Sequence, residues 1–429
     1  MTDDDVTGWS PADLNAARDS YERAAAAGDT DAMVQLGAIC QQCDPQDLPG
    51  ARVWWEKAAA AGNLEAMAQL GALLTQLDPP ELQAALSWLE KASASGRPDV
   101  MNGLGTLLAT WCNPPDLPAA RMWWERAAAA GDTDAMTKLG ILFATMWNPP
   151  DVPAARGWYE KAAAAGNTDA MVNLGVLLAV RQDPPDLAAA QGWYERAAAN
   201  GRTDAMTNLG RLFAERQAPP DLPAARSWYE KAAAAGDADA MKTLAALLVD
   251  RWNPPNVPAA KGWLERAANA ADIGAMADLG VLLATSDPPE LVKARAWLEK
   301  AAAAGDIGAM NNLGNVLVRM DPPEVAAARD LWERAAAAGN ADAMANLGDL
   351  LSQSEPPDPA AAQAWLERAV ASGHPGAMTS MAKAVLRSDP KDVRAAFTWL
   401  QKAAAAGEPT AKGLMDGLAD LHDARATDE

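Results

Sequence analysis

The sequence predicts an all-α, right-handed α-solenoid of about twelve helix-turn-helix repeats. Three observations carry that prediction. Eleven glycines (Gly28, Gly62, Gly96, Gly131, Gly166, Gly201, Gly236, Gly305, Gly339, Gly373 and Gly407) recur at steps of 34 or 35 residues, and Ala271 fills the one missing register. Between them the apolar residues return at helical spacing. An Asp-Pro-Pro or Asn-Pro-Pro segment punctuates most units. A fixed period of this size marks stacked hairpins that contact only their neighbours, so 429 residues need not be divided among globular domains.

Residues 1–9 read as an acidic tail, Met1-Thr2-Asp3-Asp4-Asp5 standing where a secretory signal would be basic and then apolar. Ser10 offers a helix cap, Pro11 suits a first turn and Asp13 is the acidic third residue, so the array is expected to start here and to run over 10–407.

The stretch Pro149 to Asp183 represents the repeating unit. Asp151 is placed to cap a first helix and Pro153 is tolerated in its first turn. Ala155, Tyr159 and Ala162 form one apolar stripe, with Trp158, Ala162 and Ala165 beside it. Gly166 closes the helix in the left-handed conformation. Thr168 or Asn167 caps a second helix, whose inner stripe is Ala170, Leu174, Leu177 and Leu178. Asp183-Pro184-Pro185 stops it, because a residue before proline avoids the helical region. Neither helix is long enough to persist alone, so each must bury its apolar face on a neighbour.

The column of Trp158 holds tryptophan in ten of twelve registers, Ser20 and Leu331 excepted; the next column is aromatic or Leu throughout. Rings of this size require small partners, and the alanine runs and a recurring mid-helix glycine (Gly37, Gly71, Gly105, Gly140, Gly175, Gly210, Gly280, Gly314 and Gly348) are expected to supply them. The string Trp158-Tyr159-Glu160-Lys161-Ala162-Ala163-Ala164-Ala165-Gly166, followed by Ala170 and Leu174-Gly175, resembles the Sel1-like repeat, a relative of the tetratricopeptide repeat. The resemblance covers nearly the whole chain. It implies an α-solenoid acting as an adaptor or scaffold, often in signalling, secretion or complex assembly.

The period is 35 across the five steps from Gly96 to Ala271 and 34 elsewhere. The extra residue falls just before the Pro-Pro pair, which predicts longer connecting loops in the central units, about 96–271. Residues 408–429 form a degenerate end: Lys412 and Asp416 replace the expected Met and Gly, and a capping helix of roughly Ala411 to Ala424 is followed by a tail that frays past Arg425.

Composition narrows the function. The net charge of −21 argues against a nucleic-acid partner and disfavours an anionic membrane, while leaving a basic peptide or protein compatible. No run of about 18 apolar residues is present. Three cysteines, Cys40, Cys43 and Cys112, do not make a disulfide framework, and the chain reads as soluble and cytoplasmic. Cys40-Gln41-Gln42-Cys43 has CxxC spacing but no second pair or nearby His to complete a metal site. His374 and His422 stand in no nucleophile pattern, and neither a Walker loop nor a dinucleotide fingerprint occurs. The expected protein is therefore not an enzyme and takes no cofactor or metal.

Two sets of residues are candidates for partner binding. Trp111, Trp147 and Trp252, with Arg181, Arg216 and Arg251, break the repeat at the central connectors and form a candidate ligand-gripping edge. The plainer reading, which is favoured, has each Trp covering the end of its own hairpin. Asn173, Asn208, Asn312 and Asn346 share a column on the second helix, with Arg211 one turn from Asn208. Asn donates and accepts, so such a ladder is a candidate rail for a peptide backbone, against the plainer reading of a solvated face. The leading expectation is a non-enzymatic scaffold binding a protein or extended peptide along its groove. The alternatives are a glycan or small-molecule binder using the central Trp edge, and a regulatory subunit of an enzyme complex.

Overall fold

The computed structural model describes the backbone of residues 11–43, 46–388 and 392–426, and side chains over 17–43, 46–388 and 392–418. The acidic tail 1–9, the Ser10 cap and residues 427–429 lie outside these. The described residues form twenty-four α-helices and no strand, from Pro11–Ala26 and Thr30–Gln42 to Val393–Ala405 and Ala411–Ala426. The helices pair as twelve hairpins and the chain is a helical solenoid. It divides into two compact units, Met1–Asp221 and Leu222–Glu429.

Local chemistry sets each hairpin. In the helix Val152–Ala164 the Asp151 carboxylate accepts from the Ala154 amide, and Pro153 occupies the first turn. Gly166 adopts φ +92°, its amide bonds the Ala163 carbonyl, and the Asn167 amide reaches Ala162 at 3.0 Å, which satisfies carbonyls the helix end leaves open. Asn167, and not Thr168, caps the helix Thr168–Val176 by accepting from Ala170 at 2.9 Å. Ala271 takes φ +66° where the other hairpins have glycine.

The central units differ from the sequence expectation. In four of them the extra residue does not lengthen the loop; it widens the end of the second helix into a π-helical turn. These turns are Leu142–Met146, Leu177–Arg181, Leu212–Arg216 and Leu247–Arg251. The amide of the following residue bonds five residues back, as Trp147 does to Leu142 at 2.8 Å. The connector then closes as it does in the shorter units: Asp151 bonds the Phe143 carbonyl at 2.9 Å, as Glu81 bonds Leu74 at 2.9 Å. A wide turn keeps every inserted backbone group bonded, whereas a bulged loop would leave one unpaired. Only the first long unit puts its extra residue outside the helix, at Trp111, just after Pro98–Thr110.

The core runs between consecutive helices. Ala155, Tyr159 and Ala162 are buried, as are Ala170, Leu174, Leu177 and Leu178. Ala165 is exposed at the helix end, and Ala163 is buried in its place. Gly37, Gly105, Gly140, Gly175 and Gly314 each face a ring of the second column, and Gly71, Gly280 and Gly348 face its Leu89, Leu298 and Leu366. A Cβ placed on Gly175 would lie 2.5 Å from Cε1 of Tyr194, and one on Gly105 would lie 2.7 Å from Cδ1 of Trp124. The Trp158 column does not enter this packing: all ten of its tryptophans are half-buried.

Candidate partner-binding surfaces

The second helices carry polar groups that the structure divides into two kinds. Asn346 is consumed by packing: its Nδ2 donates to Oδ1 of Asn311 at 2.9 Å and of Asn315 at 3.0 Å, both one hairpin earlier. Asn312 accepts a long bond of 3.4 Å from its neighbour Asn311. Lys138, in the same column, donates to Asn102 at 2.9 Å and Thr106 at 2.8 Å, and its burial lowers its pKa. Asn173 and Asn208 differ. Both are half-buried, and among the described residues no side-chain hydrogen bond engages either. Arg211, one turn on, is exposed. Of the four-residue rail expected from sequence, Asn346 is engaged by Asn311 and Asn315, which lie beside the column, Asn312 accepts one long bond, and Asn173 and Asn208, with Arg211 near, are left without a described side-chain partner.

Two of the three central tryptophans are covered from within their own hairpins. Trp147 is half-buried on Phe143, ring centroids 5.7 Å apart, with the Arg121 guanidinium 5.7 Å from its centroid. Arg226 lies 5.0 Å from the Trp252 centroid. In both cases the cation comes from the first helix of the same hairpin, so these rings cover the ends of their own hairpins. Arg181, Arg216 and Arg251 end π-helical turns and do not stand in loops. Arg181 donates from Nη1 to the Ala144 carbonyl of the preceding hairpin at 3.0 Å, a clamp between repeats. Burial pushes the Tyr194 phenol up, with Arg211 and the exposed Arg216 pulling weakly the other way. Trp111 alone of the three tryptophans projects, 53% exposed.

A feature missed in the sequence is the company of the regular Trp column. Each of its ten rings has a Lys or Arg three residues on lying over its face, from Lys57 on Trp54 to Lys402 on Trp399, at 3.8 to 4.7 Å from the centroid. The signal was legible as a cation at i+3 of every such Trp, on one helix face. On the same helices Arg52, Arg156 and Arg226 meet Glu56, Glu160 and Glu230, four residues on, at 2.7 to 2.8 Å.

The remaining reactive groups are quiet. Burial pushes the Cys40 thiol up, away from the thiolate character a redox site needs. His374 caps a helix, its Nδ1 accepting from the Ala377 amide at 2.9 Å while Nε2 meets Asp342 at 2.7 Å. Among the described residues no cluster of three metal-ligating side chains occurs, and no helix is long and apolar enough to cross a membrane.

Serial hairpins and a ring-into-glycine joint between successive hairpins define a helical-repeat protein. The chain belongs to the Sel1 repeat family. Eleven copies match, at 30–63, 64–96, 113–132, 133–167, 168–201, 203–237, 254–272, 273–306, 308–340, 341–374 and 375–408. A copy such as 168–201 joins a second helix to the next first helix, the pair that holds Gly175 against Tyr194. Among solved structures, the chain is similar to a protective antigen of uropathogenic Escherichia coli strains, with 24% identity, TM-score 0.54, and coverage of 94% of this chain and 90% of that one. It is also similar to a Sel1 repeat protein from Oxalobacter formigenes, with 24% identity, TM-score 0.54, and coverage of 72% and 95%. These likenesses speak to the fold. Comparison with curated proteins gives no match.

Proposed function

We propose that this chain is a non-catalytic scaffold whose second-helix face, at Asn173 and Asn208, holds an extended segment of a protein partner. The observation that carries the reading is the pair of half-buried side-chain amides, one repeat apart, that make no hydrogen bond among the described residues. Each can donate to and accept from a peptide backbone, and half-burial removes competing water from one side. Repeats of this family commonly mediate protein interaction, which supports the reading. The net charge of −21 favours a basic partner. The covering of Trp147 and Trp252 by Arg121 and Arg226 weighs against a three-tryptophan glycan edge.

The test is affinity capture from the host's extract with wild-type protein and with an Asn173→Leu/Asn208→Leu variant, read by mass spectrometry. The proposal expects a stoichiometric protein that the wild type retains and the variant loses, with matched thermal unfolding of the two baits. Equal retention by both baits refutes the second-helix assignment.

A further inference from the structure

Sixteen of the seventeen tryptophans lie within the described residues, and fifteen are accounted for by the protein itself. Twelve carry a Lys or Arg over the ring face: the ten of the regular column, Trp147 and Trp252. Trp55, Trp124 and Trp332 are buried, their indole N–H groups donating to the carbonyls of Val34, Asn102 and Asn311 at 3.1, 3.3 and 3.1 Å. Trp111 is the exception. It is 53% exposed, and among the described residues no cation or hydrogen-bond partner meets its ring.

The reason is local. Trp111 stands in the register of Met146, one residue before that of Trp147, and position 86, 35 residues before Arg121, holds Leu, so no guanidinium is placed over it as Arg121 is over Trp147. Trp111 instead walls an open groove with Pro80, Glu81, Leu82, Gln83 and Pro114. The floor is mostly apolar. Of the charged groups on the two connectors, Glu81 lines the groove and is held by Arg52 at 2.6 and 3.1 Å, Asp116 caps the next helix by accepting from the Ala119 amide, and Asp78 stands on the first connector outside the lining, so three carboxylates face one guanidinium.

We propose that the Trp111 groove is a subsite for a Lys or Arg side chain supplied by a basic partner. The apolar floor accepts the methylene stem, the indole face meets the cation, and the acidic balance of the two connectors, within a chain of net charge −21, sets the sign of charge. A neutral glycan or an apolar anchor would gain nothing from those carboxylates. This subsite stands independently of Asn173 and Asn208, and fails or holds separately from them.

The experiment records the indole N–H region of the nitrogen-15 spectrum of the full chain, with the Trp111 resonance assigned by its loss in Trp111→Phe. The probe is a nonapeptide alternating Gly and Arg, with citrulline and norleucine versions as neutral and apolar controls, in moderate salt. The expected result is a saturable shift of the Trp111 indole with the Arg peptide and not with either control, retained in the Asn173→Leu/Asn208→Leu variant. Trp111→Leu should weaken Arg-peptide binding two- to fivefold, the scale of one exposed cation–aromatic contact. Gln83→Arg, which sets a cation of the chain's own in the groove, should weaken it as well. Equal shifts with citrulline, a preference for norleucine, or shifts spread evenly over all the indoles would each overturn the proposal.

Discussion

Gly175→Ala is the sharpest test of how the hairpins join. On an open helix face the change stabilises by about 1 kcal/mol, since alanine is the better helix former. Here the new methyl carbon would sit 2.5 Å from Cε1, 2.7 Å from Cδ1 and 2.8 Å from Cζ of Tyr194. Unbonded carbons rest about 3.5–4.0 Å apart, so the ring must retreat by about 1 Å. Tyr194 is 3% exposed and has little room to move, and overpacking of this kind costs about 1–3 kcal/mol. The net expectation is a loss of about 1 kcal/mol, opposite in sign to the helix preference. Tyr194→Ala removes the obstacle, and in that background Gly175→Ala should stabilise by about 1 kcal/mol, giving a coupling of about 2 kcal/mol. Gly157 is the control: a Cβ there meets nothing within 4 Å, so Gly157→Ala should stabilise by about 1 kcal/mol. The assay is urea unfolding followed by circular dichroism and fitted to a nearest-neighbour model suited to repeats. If Gly175→Ala stabilises the wild type as much as Gly157→Ala does, the ring-into-glycine joint is wrong.

Other expectations follow from the same geometry. Ala271 holds φ +66°, a conformation that costs an L-residue about 1–2 kcal/mol, so Ala271→Gly should raise stability by about 0.5–1 kcal/mol after the added freedom of the unfolded chain is counted; an unchanged or lower urea midpoint would contradict this. Asn167 caps a helix and also donates to Asp134 of the preceding hairpin at 2.8 Å, so Asn167→Ala should cost about 1–2 kcal/mol while Asn167→Ser, which keeps a capping oxygen and sets no charge beside Asp134, should cost less; equal losses in thermal melts would remove the cap from the account. Burial pushes the Tyr159 phenol up to about 12, with Arg181 pulling weakly the other way. An unfolded tyrosine titrates near about 10, so this stabilisation is whole below about pH 10 and is lost as pH climbs toward 12, a fall of about 2 kcal/mol that Tyr159→Phe should abolish in melts across that window.

Much of the fold was legible because its determinants are local. A cap such as Asp151, a left-handed glycine such as Gly166 and an i, i+4, i+7 stripe such as Ala170, Leu174 and Leu177 act within one helix, and a recurring motif reveals them twelve times over. The inserted residue of the central units was visible as a period of 35, yet its destination was not. Whether it bulges a loop or widens a helix into a π-helical turn depends on which carbonyls the next connector needs, as when Asp151 reaches Phe143. The two aromatic columns look alike in sequence, and only packing separates Tyr194, seated on Gly175, from Trp193, half-buried beneath Arg196.

The candidate site shows the same division. The sequence by itself determined the repeat, the family resemblance, the acidic balance and the residues that break the pattern. Tertiary structure decided which of those residues remain available. Asn346 is spent on Asn311 and Asn315, Arg181 on the Ala144 carbonyl and Trp147 on Arg121, whereas Asn173, Asn208 and Trp111 keep faces that no described side chain bonds. Availability is a property of pairs about 25 to 40 residues apart in the chain, and it depends on whether the neighbouring hairpin brings a matching group within hydrogen-bonding or cation–aromatic distance, which no single repeat records.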